Sequence, residues 1–98
     1  MPQINFAPAA IGDLARLSNF LHQNNPLAAK QAGLAIIKAI KNLSEYPQAG
    51  RPDDDDSEYR ELIIDFGNSG YIAKYLYKND LVIVVKIKHQ KRGGVFLT

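Results

Sequence analysis

With 98 residues, no cysteine and a formal net charge of +2, the chain has room for one modest core, held by neither disulfides nor thiolate–metal bonds. That charge is too small by itself to imply a nucleic-acid partner, and no apolar run approaches the length of a membrane span. The opening Met1-Pro2-Gln3-Ile4-Asn5-Phe6 lacks a basic-then-apolar leader, so the expectation is a single cytoplasmic domain spanning residues 1–98, with no cofactor, metal or membrane association.

Ile4 and Phe6 alternate with Gln3 and Asn5, the period of a strand, and a strand this short must join a larger sheet to persist. Pro8 suits a first helical turn. From there Ala10, Leu14, Leu17 and Leu21 recur at helical spacing and line one side of a helix, with Asp13 near its positive N-terminal end. Asn24-Asn25-Pro26 breaks that helix and starts another, with Asn25 as cap and Pro26 at the first position. Ala29, Gly33, Ile36, Ile40 and Leu43 form the second stripe, which Pro47 ends. So short a connection predicts an antiparallel helical hairpin. The small Ala29 and Gly33 would let the helices approach closely, and Phe20, Leu34 and Ile37 would widen the stripes towards a sheet.

Gln48-Ala49-Gly50-Arg51-Pro52 and the four aspartates at 53–56 read as a link. Arg51 is read as fixing the chain's approach to the sheet. The aspartate run lacks the alternating spacing and glycine of a calcium loop, which predicts a solvated loop instead. Beyond it three strands follow. Residues 59–66 alternate apolar and polar and stop at Gly67-Asn68-Ser69-Gly70; 71–77 are rich in aromatics; Lys78-Asn79-Asp80 turns the chain. Residues 81–87 begin apolar at successive positions, which predicts a central strand covered on both faces. The fold class is therefore α+β: a short N-terminal strand, then an antiparallel helical hairpin packed on a mostly antiparallel sheet that ends in a three-stranded meander.

Charge is unevenly placed. Lys86, Lys88, Lys91 and Arg92, with His89 among them, occupy a C-terminal stretch without an acid, a plausible seat for phosphates or an acidic partner. His89 ends a strand beside three cations, so it is either an acid–base group or a locally hydrogen-bonded strand-terminal residue. His22 closes the first helix, where a positive charge is favourable. Arg60 has the strand parity of Leu62, Ile64 and Phe66, and Lys74 lies between Ile72 and Leu76. Each either pairs with a carboxylate or reaches a phosphate. No Ser/His/Asp order, Gly-rich phosphate loop or zinc spacing occurs.

Several short pieces, each weak alone, occur in an order that is specific together: Phe6-Ala7-Pro8-Ala9-Ala10 with Asp13-Leu14; Asn25-Pro26 with Ala28-Ala29; Leu43 and Pro47 leading to Gly50-Arg51-Pro52; Tyr59-Arg60-Glu61-Leu62; Gly70-Tyr71; Tyr75; and Ile87-Lys88-His89-Gln90. Over essentially its whole length the chain resembles the RelE/ParE superfamily of type II toxin–antitoxin toxins. The resemblance implies a small toxin neutralised by a cognate antitoxin, and either of two activities. RelE-like members cut mRNA on the ribosome; ParE-like members poison DNA gyrase without cutting RNA.

Cutting RNA through its own 2′-hydroxyl needs a base, cations for the crowded phosphate and an acid for the leaving oxygen. RelE-like nucleases supply an arginine just after the Gly-Tyr of the middle meander strand and a tyrosine or histidine near the C-terminus. Here Ile72 follows Gly70-Tyr71, and Phe96 carries no hydroxyl. The expectation is accordingly a ParE-like gyrase inhibitor, closer to ParE than to RelE, acting by binding and without sequence-specific nucleic-acid recognition of its own. Lys88, His89, Lys91 and Arg92 are its target-binding candidates, and Leu34, Ile37, Val95, Phe96 and Leu97 its antitoxin-binding candidates. The alternatives are a ribosome-dependent endonuclease using Arg60, Lys74, His89 and Arg92, or a toxin fold that acts only with its antitoxin in repressing their operon.

Overall fold

A computed structural model describes residues 2–67 and 69–90. The chain runs β1 (Gln3–Phe6), α1 (Pro8–Asn24), α2 (Pro26–Lys41), one 3-10 turn (Asn42–Ser44), β2 (Arg51–Pro52), β3 (Tyr59–Phe66), β4 (Ser69–Lys78) and β5 (Leu81–Gln90). The strands form one sheet in the order β1-β5-β4-β3-β2, antiparallel except where β1 lies parallel to β5. The expected α+β architecture is therefore present, with β4 at the centre of the sheet. No helix among the described residues is long and apolar enough to cross a membrane.

Local chemistry sets the element ends. Asn25 leaves the helical conformation, and its Oδ1 accepts the Ala28 N–H at 3.1 Å, so the residue closing α1 also caps α2. Asn79 and Asp80 both take positive φ, 53° and 60°, the backbone of a two-residue hairpin turn matched to strand twist. α2 gives way to the 3-10 turn after Lys41, several residues before Pro47. Arg51 and Pro52, expected in a link, pair with Glu61 and Arg60 as a fifth strand. Their brevity, and a proline that can donate no hydrogen bond, hide this edge strand from pattern reading.

Both helices pack on one face of the sheet. Ala10, Ala32, Ile36, Ile40 and Leu43 from the helical side meet Ile64, Tyr71, Ala73, Tyr75, Val82, Val84 and Ile87 from the strands. Burial of each Ile, Leu or Val side chain in this layer contributes roughly 1.5–3 kcal/mol, and each Ala correspondingly less. The other face of β5 carries no helix: Leu81, Ile83 and Val85 are half-buried while Val82 and Val84 are fully enclosed. Coverage on both faces, inferred from the apolar run, is thus corrected to one. Phe20 and Leu34, expected to widen the stripes towards the sheet, stand 65% and 63% exposed, and Ile37 is also exposed. They lie on the outward side of the hairpin; on α2 the buried Ala29, Ala32, Ile36 and Ile40 already fill the inward stripe. Gly33 is not a point of close approach either. A Cβ there would meet nothing within 4 Å, and a void of about 30 Å³ lies beside it, whereas Ala29, as expected, and Ala32 are the small residues of α2 that are buried.

Tyr75 joins this core to the irregular segment after α2. Its ring is completely buried, and its hydroxyl donates to the Pro47 carbonyl at 2.7 Å and accepts the Gly50 N–H at 2.9 Å. Burial pushes the phenol above its usual pKa; the Gly50 N–H and the nearby Arg60 guanidinium only partly offset this. Gly50 has no room for a side chain, because a Cβ would stand 2.8 Å from the Tyr75 ring and hydroxyl and 2.9 Å from the Glu61 carbonyl. Replacing Tyr75 by Phe keeps the ring and strands both loop groups, so Tyr75→Phe is expected to cost about 2–3 kcal/mol. Urea unfolding should show this as a lower midpoint at unchanged slope; a wild-type midpoint would contradict the bridge.

Candidate functional site: the open face of the sheet

The face opposite the helices is built from cross-strand rows. Glu61 pairs with Lys74 and Lys74 with Lys86; Ile63 pairs with Ile72 and Ile72 with Lys88. Directly opposed side chains of this kind lie about 5 Å apart at Cβ. A cleft of about 170 Å³ opens here, lined by Lys74, Lys86 and Lys88 on one side, Asp53, Asp55 and Glu61 on the other, and Ile72.

The lysines reach this face because of a single irregularity. Tyr75 pairs with Val84 and Lys74 with Lys86, which leaves Val85 as an extra residue on β5. Strict alternation from the buried Val82 and Val84 would turn Lys86 and Lys88 into the core. The bulge reverses the parity, burying Ile87 and sending both lysines to the open side. Just past the bulge, where β1 has already ended, the Ile87 N–H donates to Asp13 Oδ2 at 2.9 Å. Asp13, expected to interact with the helix dipole, lies beyond the first turn of α1 and instead satisfies this backbone group; its other oxygen meets Arg16.

The aspartate run is only partly the solvated loop it was expected to be. Asp53 is 8% exposed. Its Oδ2 accepts the N–H groups of Asp55 and Asp56, each at 3.2 Å, and lies 3.6 Å from Lys74 Nζ. Burial acts to raise the Asp53 pKa, but the Lys74 ammonium and the two backbone N–H groups outweigh it and hold the carboxyl below its ordinary value. Asp54, Asp55 and Asp56 are exposed, and Asp56 Oδ1 accepts the Glu58 N–H. Lys74 also lies 5.0 Å from the centre of the Tyr59 ring.

The cations grouped by sequence are divided by the pleat. Arg60 lies on the helical side, where Nη1 donates to the Gly50 carbonyl at 2.7 Å and the Gln48 carbonyl at 3.3 Å. Arg51, on β2, is exposed with Nη2 3.5 Å from Glu61. His89 pairs with Tyr71, their ring centres 5.5 Å apart, on the face away from Lys88. Arg60 pairs with Tyr75 and His89 with Tyr71, so about 13 Å of strand separates them. Lys74 is on the opposite face from both. Leu34 and Ile37 are exposed on α2; Lys91, Arg92, Val95, Phe96 and Leu97 lie outside the described residues. Among the described residues no group of His, Asp and Glu is arranged to hold a metal ion.

Residues 4–93 match the family model described as the ParE toxin of the type II toxin–antitoxin system parDE. The chain belongs to the ParE toxin family. This toxin is 32% identical over 92 residues to Toxin RelE2 of Caulobacter vibrioides, covering 94% of this chain and 99% of the relative. It is 30% identical over 89 residues to Toxin RelE3 of the same organism, covering 91% and 95%. Among solved structures, the fold is similar to a chain of the chromosomal ParDE system of P. aeruginosa, with a TM-score of 0.79 at 20% identity and coverage of 93% and 98%. A chain of the intact E. coli RelBE toxin–antitoxin complex superposes with a TM-score of 0.61 at 14% identity, covering 94% and 100%. The protein is thus a type II toxin of the RelE/ParE superfamily, and likeness at these structural identities speaks for the fold alone.

In this toxin the Asp53 carboxylate takes up a proton less readily when folded than when unfolded. Stability from that source is present above the unfolded carboxyl's ordinary 3.8 and is lost as pH falls through the lower folded value. Asp53→Asn should lower stability at neutral pH and flatten the acid limb of a stability–pH curve below that point. Parallel acid limbs for the two proteins, measured by urea unfolding, would contradict the pairing.

Proposed function

We propose that this toxin arrests growth by binding DNA gyrase rather than by cutting RNA, and that a cognate antitoxin neutralises it. The observation that supports this reading is the division of its candidate acid–base and cationic groups. Arg60 is committed to two loop carbonyls on the helical face, His89 lies on that same face near Tyr71, and Lys74 faces the other way beside Asp53. Phosphoryl chemistry needs a base, an acid and cations converging on one reacting atom. Ile72, standing where RelE-like nucleases supply an arginine, puts an aliphatic side chain among the three lysines of the open cleft. An inhibitor needs exposed, complementary surface but no convergence on one reacting atom; Lys88 on the open face and His89 on the helical face, together with Lys91 and Arg92, are the residues assigned to target contact.

For the antitoxin, the relevant surfaces are the outer side of α2 and the edge of β3. Leu34 and Ile37 are exposed apolar residues on α2. β2 pairs only with Arg60 and Glu61, so β3 carries no outer strand from Leu62 onwards among the described residues. A groove of about 400 Å³ lies alongside, lined by Ala35, Lys38, Ala39, Asn42, Ile63, Ile64 and Asp65. An extended segment could add backbone hydrogen bonds at that edge while placing apolar side chains in the groove, with Val95, Phe96 and Leu97 of the toxin as further contacts.

A second reading, ribosome-dependent mRNA cleavage, is favoured by the lysine-lined cleft and by the name RelE carried by the Caulobacter relatives. In it Arg60, Lys74, His89 and Arg92 would share the chemistry, although of the three described only Lys74 lines that cleft. Plasmid supercoiling by purified gyrase decides for or against the first reading. The expected result is inhibition by added toxin, with linear DNA released on denaturation. Normal supercoiling in the presence of a large molar excess of folded toxin would overturn it.

A further inference from the structure

We propose that the aspartate loop at 53–56 is an intramolecular competitor for phosphate, screening a lysine face that would otherwise hold single-stranded nucleic acid through its backbone. This goes beyond the choice of gyrase or ribosome and holds under either.

The open cleft is electrostatically self-balanced. Lys74, Lys86 and Lys88 line it, and so do Asp53, Asp55 and Glu61. Only Lys74 among the three lysines lies within 4 Å of a carboxylate in the described residues. Lys86 and Lys88 occupy alternate positions on one strand, about 6.6–6.8 Å apart along the backbone, and both helices lie on the far side of the sheet. Three ammonium groups on an uncovered pleated surface, bordered by the aromatic Tyr59, are the composition that recognises phosphodiester and base together.

The acids are held against these lysines by a folded loop. The Asp53 N–H donates to the Tyr59 carbonyl at 2.9 Å and the Tyr59 N–H to the Asp56 carbonyl at 3.0 Å, closing the loop at its base. Inside it, Asp53 Oδ2 gathers the Asp55 and Asp56 N–H groups and meets Lys74, which sets Asp53 and Asp55 in the lining of the cleft, with Asp54 and Asp56 exposed in the same loop. No metal cluster among the described residues draws on these acids. Their placement lowers the positive potential that an incoming phosphate would meet, within the Debye length of about 8 Å at physiological salt. Asp53 and Asp56 hold the loop together through their backbone contacts, and the negative charge of the run acquires a role as counter-charge.

The test is binding of a fluorescently labelled oligothymidylate at low salt, followed by anisotropy, to the full chain. Asp53 is left in place so that the loop keeps its internal clamp. The wild-type toxin should bind weakly; D54N/D55N/D56N should bind about tenfold more tightly and with a steeper salt dependence. Asp55→Asn alone should shift affinity in the same direction, and adding Lys86→Ala and Lys88→Ala to the triple variant should return it to the wild-type level. Unchanged affinity in variants with wild-type circular dichroism would overturn the proposal. So would a gain that survives loss of Lys86 and Lys88, since the acids would then be screening another surface.

Discussion

The hydroxyl of Tyr75 bonds in two directions at once, donating to the Pro47 carbonyl and accepting the Gly50 N–H, and much of the molecule depends on that arrangement. A tyrosine at the centre of a sheet buries a large ring usefully only if its hydroxyl finds partners. Here the partners are backbone groups of a segment that has no regular structure of its own. Once that segment is tied down, Gly50 must be glycine, Arg60 has carbonyls to hold, and β2 is delivered to the edge of β3. The aspartate loop that follows is thereby set beside Lys74. The sequence pieces Pro47, Gly50-Arg51-Pro52, Tyr59-Arg60 and Tyr75, dispersed along the chain, are a single hydrogen-bonded assembly in space.

The main elements were legible because their signals were local and mutually consistent. Asn25-Pro26 gives a helix stop and a cap, Asn79-Asp80 gives a turn that tolerates positive φ, and alternation marks β3. Parity was less legible. From Leu81 to Val85 both sets of alternate positions are apolar, so nothing in those residues says where a bulge falls, and the bulge at Val85 decides which face receives Lys86, Lys88 and His89. Asp13 was visible as a carboxylate on a helix, but its partner is a backbone N–H seventy-odd residues away, exposed only because β1 is short. Phe20 and Leu34 were placed inward because apolar residues beside a stripe usually extend it; the stripe was already full.

Membership of the ParE toxin family and the type II toxin assignment rest on similarity along most of the chain. The choice between a binding toxin and a cutting one rests on how the pleat distributes charge. A sequence cluster of Lys88 and His89 looks like one site, yet the strand turns the two side chains to opposite faces, and Arg60 of the proposed nuclease set is occupied within the fold. The open face that does collect lysines collects an equal number of acids. Such a surface suits recognition more than general acid–base chemistry.

That claim is tested most directly on translating ribosomes carrying a defined mRNA with a vacant decoding site, incubated with the folded toxin and mapped by primer extension. An inhibitor that acts by binding elsewhere leaves the transcript full length at every toxin concentration. A toxin-dependent cut within the decoding codon would contradict the account and return Lys74 and His89 to the chemistry.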